Sequence, residues 1–333
     1  MLCFPRREPL GNEVFDSYWQ FAAERQAIFF RRIANQPAPW TDDQILLAFR
    51  FTNAYRASDR VSQYLIRNVI YTGSYSLEEQ VFRILLFKLF NKIQTWQLLE
   101  SRVGSIQYSA YRFDTYDRIL TDALSAGQRI YSSAYIMPSG GGRYPRKHRA
   151  HLRLLERMML EGLPAKLADC RSMGDAFALL RGYPMIGDFL GYQYVTDLNY
   201  SEATNFTEME FVVPGPGARS GIQKCFPELR GWTEEDVIRW VTENQEAQFS
   251  KRGLEFRSLW GRPLQLIDCQ NLFCEVDKYA RVRFPGICGQ LQRTRIKRRF
   301  EANREVIDYL YPPKWAINRR TGRCSGLACA ASD

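Results

Sequence analysis

Histidine is almost absent from this chain. Its 333 residues include two, His148 and His151, both in one basic run, Arg143-Tyr-Pro-Arg-Lys-His-Arg-Ala-His-Leu-Arg153. An HxxH spacing could ligate a metal, but the surrounding Arg and Lys oppose a cation, so a solvated, phosphate-facing surface is expected. The eight cysteines are scattered. Cys269/Cys274 and Cys324/Cys329 are spaced CxxxxC, not the tight CxxC of structural zinc. Neither a metal nor a cofactor is expected, and the thiols read as reduced. Any catalysis must then rest on carboxylates, Lys, Arg and Tyr.

Other absences narrow the class. There is no GxxxxGK[ST] phosphate loop, which argues against an ATP-dependent kinase of that kind. Gly140-Gly-Gly142 is followed by Arg143 and Lys147 but lacks the strand–loop–helix context, so it reads as a flexible loop. No apolar run reaches the roughly 18 residues of a membrane span. Ile84-Leu-Leu-Phe-Lys-Leu-Phe90 is short and interrupted by Lys88. Met1-Leu-Cys-Phe-Pro-Arg-Arg7 lacks the apolar core of a signal peptide. An intracellular protein is expected, nuclear if the source is eukaryotic. The formal charge of +10 points to a polyanionic partner, nucleic acid before a membrane surface.

Along the chain, helical periodicity dominates and long apolar/polar alternation is rare. The pattern predicts helices over 12–34, 45–55, 61–70, 80–99, 116–127, 148–162, 175–181, 237–248, 264–281 and 299–310. Thr41, Ser76 and Thr233 are the expected N-caps, Ser76 in a capping-box sequence. The fold class is all-α, with two helical lobes around a cleft preferred. Residues 1–39 read as an N-terminal helical extension, 40–312 as the main domain and 313–333 as a tail.

Five polar clusters carry the candidate chemistry. In Asn53-Ala-Tyr-Arg-Ala-Ser-Asp-Arg-Val-Ser-Gln-Tyr64, Arg56 and Arg60 are four apart on one helical face, beside Asp59. This is either a salt-bridged surface or a phosphate clamp. Gly182-Tyr-Pro-Met-Ile-Gly-Asp-Phe-Leu-Gly191 reads as two helices joined by a tight hairpin. Its Gly187 can offer backbone N–H groups to a phosphate. Met185 stands where a helix-hairpin-helix element has its first glycine, which puts that contact in doubt. The third cluster is Asp197 with Asn199 and Tyr200. The fourth runs from Glu208 and Glu210 through Pro214-Gly-Pro-Gly217, a rigid turn, to Arg219 and Lys224. The fifth is a helix face, Asp268, Asn271, Glu275 and Lys278, read as a solvated face or as the lining of a cleft.

Taken together, Asn53 to Tyr64, Gly182 to Tyr200, Glu210 to Gly221 and Gln270 to Tyr279 resemble the helical domain associated with 5-hydroxymethyl-deoxyuridine (5-hmdU) DNA kinases. That family is related to predicted α-glutamyl/putrescinyl-thymine pyrophosphorylases. The resemblance implies a DNA-glycosylase-like, helix-hairpin-helix fold, with the hairpin near 175–200. It implies a place in hypermodification of thymine, in which 5-hydroxymethyluracil is phosphorylated and a nucleophile displaces the activated phosphate.

Without a phosphate loop, the chain fits the displacement step or a base-binding role. It would act on a flipped base in duplex DNA, or on a single strand, with a separate 5-hmdU kinase as a second partner. In the glycosylase comparison a catalytic carboxylate follows the hairpin. Glu208 and Glu210 lie near that position, while Asp197 comes earlier within the family-like stretch.

The expected catalytic residues are therefore Asp197, Glu210, Asp268 and Glu275. Arg56, Arg60, Gly187, Arg219, Lys224 and Lys278 are expected on phosphate, and Tyr192 and Tyr200 on the base. A non-catalytic DNA-binding module and an RNA- or nucleotide-modifying enzyme remain the alternatives.

Overall fold

The computed structural model describes residues 8–142, 145–302 and 307–321. The described residues are mainly helical, with two isolated β-bridges and no β-strand among them. In chain order the helices are α1 (Glu13–Ile33), α2 (Gln44–Ala48), α3 (Arg60–Tyr64), α4 (Leu77–Phe90), α5 (Ile93–Val103), α6 (Phe113–Ser125) and α7 (Lys147–Leu160). They continue with α8 (Leu163–Ala168), α9 (Met173–Arg181), α10 (Asp188–Leu198), α11 (Pro216–Cys225), α12 (Glu234–Glu243), α13 (Gln245–Lys251) and α14 (Leu266–Arg283). Among these helices, none is long and apolar enough to cross a membrane.

The chain forms two compact units. The first draws on the stretch up to Asp59, on Phe211–Tyr309 and on residues from Trp315. The second is Arg60–Glu210 with Leu310–Lys314.

In the first unit, α14 is the central helix, packed by α1, α11 and α12. α1 starts where Asn12 accepts hydrogen bonds from the N–H groups of Val14 and Phe15, satisfying two orphan donors. Its apolar face is aromatic. Tyr18 lies 4.5 Å from Phe273 of α14, Phe15 4.5 Å from Phe226, and Trp19 4.8 Å from Phe249, all between ring centroids. Asn12 also donates to the Lys224 carbonyl at 2.8 Å, tying the start of α1 to the end of α11.

The Pro214-Gly-Pro-Gly sequence is not only a turn. Pro216 is the first residue of α11, where its missing N–H costs nothing. Gly217 and Gly221 then fall on one face, against α14. A Cβ on Gly221 would lie 2.0 Å from the Phe273 carbonyl oxygen, and one on Gly217 2.3 Å from the Cys274 sulfur. Main chain cannot give way as a side-chain tip can. Gly221→Ala should therefore lower stability by about 3 kcal/mol. Denaturant unfolding measures this, and an unchanged midpoint would contradict the close approach.

In the second unit, α4 is buried along most of its length, with α7, α8 and α10 packed on it. Arg83 on α4 is 1% exposed. Its guanidinium donates to the carbonyls of Val69 and Ile106, at 3.0 and 2.6 Å, and to the Thr72 hydroxyl. It thereby satisfies the end of the π-helical stretch Leu65–Ile70.

Several boundaries differ from those the sequence predicts. The helix expected over 80–99 is two helices, because Asn91 takes the left-handed conformation (φ 47°) that Asn tolerates. The helix over 237–248 likewise breaks at Asn244. α2 stops at Ala48, and its cap is Asp43, not Thr41. Residues 299–302 and 307–310 are not helical. Residues 303–306 lie outside the described residues, as do Arg143, Cys324, Cys329 and the tail from 322.

Candidate functional site

α9 and α10 form a tight pair. Ser172 caps α9 in a reciprocal box with Asp175, and Gly187 is the N-cap of α10. Between them Met185 has φ 67°, a left-handed backbone at the position where a glycine was expected. Gly191 permits the packing: a Cβ there would sit 3.2 Å from the Phe177 ring. The left-handed position of this turn is thus held by a methionine.

Asp197 lies on the buried face of α10, 1% exposed. The structure pairs it with Lys88 of α4, Nζ to Oδ2 at 2.5 Å, both side chains almost fully enclosed. Lys88 also donates to Asn91 Oδ1 at 3.0 Å, so the left-handed residue that ends α4 serves the same pair. The Tyr135 ring lies over the ammonium, 4.8 Å from Nζ. Tyr135 in turn stacks on Phe189 of α10 at 5.7 Å, and its own backbone is left-handed, φ 54°. Nearby, the Tyr194 hydroxyl donates to the Met137 sulfur, and burial, with Asp197 beside it, pushes the phenol's pKa well up.

Removing two charges from water is costly unless they are paired and hydrogen-bonded. This buried pair therefore marks a special place in the second unit. In the sequence Lys88 stands out only as a break in an apolar run. That break was the signal, since a charge amid residues that must be buried needs a partner.

The other expected residues of the second unit are spread out. Arg60 is exposed at the start of α3, Gly187 and Glu210 are exposed, and Glu208 is buried. Tyr192 and Tyr200 are each 1% exposed, packed in the core.

The two histidines correct the surface expectation. Both are fully buried on α7. His148 Nε2 lies 2.8 Å from Asp117 Oδ1, and His151 bridges the Tyr131 hydroxyl and the Pro138 carbonyl, each at 2.8 Å. Burial pushes the His151 imidazole down to about 4. Their i, i+3 spacing turns both inward, while Arg149 and Arg153 keep the exposed side.

In the first unit the polar stripe of α14 has its carboxylates enclosed, Asp268 and Glu275 being buried, while Asn271 and Lys278 are partly exposed. Asp268 accepts from the Arg56 N–H at 2.8 Å and from the Gln265 N–H at 3.0 Å, the latter closing the capping box of α14. Glu275 accepts from the Thr52 N–H at 3.0 Å and pairs with Lys278 at 2.5 Å. The stripe thus holds the segment 52–56 by its backbone. Arg56 and Arg60 do not share a helical face: Arg56 is buried in a 3-10 turn, and the extended Asp59 separates that turn from α3.

Asp59 is the residue in this region that sequence reading left without a role. It accepts from the Asn53 N–H at 2.8 Å. Burial pushes its carboxyl up to about 7, helped by Glu275 and opposed by the Asn53 N–H, Arg25 and Arg56. Arg25 fastens the same loop, donating to the Thr52 carbonyl and to Asn53 Oδ1.

Lys224 is buried in a second ionic group. It lies 3.1 Å from Asp277 Oδ1, which also accepts from the Ser220 hydroxyl, while Arg281 holds the other oxygen. Burial alone would raise the Asp277 carboxyl, but Arg281, Ser220 and Lys224 hold it below the usual carboxylate range. Arg219 is the more exposed cation, 3.6 Å from Glu234. Among the described residues, no three His, Cys, Asp or Glu side chains gather as metal ligands would.

The model of the 5-hmdU DNA kinase helical domain matches residues 12–289. The chain belongs to that family. The match begins at the cap of α1 and ends just beyond α14, so it takes in helices of both units. A 5-hmdU DNA kinase of Bacillus phage SP10 is 26% identical over 299 residues. That alignment covers 82% of this chain but 46% of the relative, so the chain spans about half the length of the curated protein it matches. A phage relative lends no support to a nuclear location. No solved structure matches.

Proposed function

We propose that this chain acts in the modification of 5-hydroxymethyluracil in DNA, as the part that binds the DNA and handles the extruded base. Membership of the 5-hmdU DNA kinase helical-domain family carries the reading. The basic charge of +10 is in keeping with it. A phosphate loop is lacking in this sequence. We therefore assign the chain the base and its hydroxymethyl group, not the nucleotide that supplies a phosphate.

The target group lies within the stack of a duplex and must be flipped out to be reached. Asp197 is the carboxylate we assign to it. In phosphorylation it would take the proton of the hydroxymethyl oxygen. In displacement of an activated phosphate it would take the proton of the incoming nucleophile. Lys88 orients the carboxylate. Tyr135, stacked on Phe189, covers the Lys88 ammonium, so the loop carrying Tyr135 must move to admit a base. Gly187 at the start of α10 and the exposed Arg60 are assigned to backbone phosphate.

A second reading has its own support. Asp197 and Lys88 satisfy one another in a dry interior, as a purely structural pair would. On that reading the chain is a non-catalytic DNA-binding module. Competition binding separates the two. Our reading expects duplex DNA carrying one 5-hydroxymethyluracil to bind about tenfold tighter than its thymine counterpart, because the extra hydroxyl gains a partner. Asp197→Asn should abolish the preference and keep the binding. Equal affinity for the two duplexes would sink the base-handling role, and a preference for RNA would favour a different substrate class.

A further inference from the structure

From Lys278 to Phe300 inclusive the sequence has eight Lys and Arg and no Asp or Glu. Five of these cations, Arg293, Arg295, Lys297, Arg298 and Arg299, fall within seven residues beyond the last turn of α14, and all five are exposed. None takes part in an ion pair among the described residues.

The segment is not a loose tail. Phe49 and Arg299 form an antiparallel bridge. The Arg50 N–H donates to the Arg298 carbonyl and the Phe300 N–H to the Ala48 carbonyl, each at 3.1 Å. Further back, Arg281 donates to the Arg295 carbonyl at 3.1 Å. The backbone is thus pinned at the end of α2 and at the end of α14. Arg299 lies over the Phe49 ring, 4.6 Å from its centroid. Arg293, Arg295 and Lys297 alternate along the strap.

Like charges this dense repel one another, and their fixed spacing brings the fold no ion pair in return. A track of charge on a pinned backbone suits a ligand with regularly repeated anions. Four of the five cations are Arg, whose planar fork grips two phosphate oxygens at once.

We propose that this strap, residues 293–299, is a track for the phosphodiester backbone of DNA. It rests on the DNA-binding reading above and supplies affinity without sequence, while selection of the base lies elsewhere in the chain.

The test is the salt dependence of binding to a duplex of about 20 base pairs, for the wild-type chain and for R293Q/R295Q/K297Q. The substituted side chains are exposed, so the variant should unfold at the wild-type midpoint. Three lost phosphate contacts should reduce the slope of log K against log salt by about 2.7. Between 50 and 200 mM salt the wild type should then lose about 40-fold more affinity than the variant. The reduction should be the same for duplexes with thymine and with 5-hydroxymethyluracil.

Equal slopes for the two proteins would overturn the strap and leave the DNA reading standing. Failure of the wild type to bind any DNA would overturn both. Loss of binding to phosphatidylserine vesicles in the variant, with DNA binding unchanged, would assign the strap to a membrane and overturn the proposal.

Discussion

Asp197→Leu should destabilise the protein by about 3–5 kcal/mol, because it strips a buried ammonium of its counter-charge. Lys88→Met should cost a similar amount by leaving the carboxylate in the same dry interior. The double variant, Lys88→Met with Asp197→Leu, should recover most of the loss, since two apolar side chains of similar volume bury no charge. Chemical denaturation of the four proteins forms a double-mutant cycle that reads the coupling directly. Additive losses would mean that the pair is not formed in solution. The double variant also separates structure from function. It should fold like the wild type and yet lose its preference for 5-hydroxymethyluracil. Retention of that preference would assign the pair to packing alone.

The second large effect concerns pH. The Asp59 carboxyl is raised to about 7 in the fold, against an ordinary value of 3.8. Between those two values the unfolded chain releases this proton and the folded chain keeps it. Stability from this group is therefore fully present below pH 4 and is lost as pH rises to 7, by on the order of 4 kcal/mol. Above pH 7 both states are ionised and the effect levels off. Asp59→Asn keeps an oxygen for the Asn53 N–H and removes the titration. It should be more stable than wild type at pH 8 and should lack the wild-type decline between pH 4 and 7. A variant with the same pH profile as wild type would show that Asp59 ionises normally.

Local signals in the sequence were reliable where one residue and its near neighbours decide the structure. Ser76 and Thr233 cap helices because their side chains reach the N–H group three residues on. The face formed by Asp268, Asn271, Glu275 and Lys278 was legible as one side of a helix. Its partner was not, because the segment 52–56 lies more than 200 residues away.

Gly217 and Gly221 illustrate the same limit. Glycine lowers helix propensity, so the stretch reads as a turn, yet the close approach of α14 demands glycine there. The break at Asn91 was hidden for the opposite reason. The apolar periodicity runs straight through it, and only the left-handed backbone that Asn accepts splits the helix.

For the candidate site, the four resembling stretches gave the family, and Asp197 among them. They did not give Lys88, which stands in an apolar run, and although they include Asp59 they do not show its raised carboxyl, which depends on its burial and on Glu275 far along the chain.

The central claim is that this chain takes part in modifying 5-hydroxymethyluracil in DNA. Mass spectrometry of nucleosides, from DNA of cells that carry the gene and of cells from which it is deleted, tests it most directly. The account predicts that a derivative of 5-hydroxymethyldeoxyuridine disappears on deletion while the unmodified nucleoside accumulates. The same nucleoside profile in both DNA samples would contradict it.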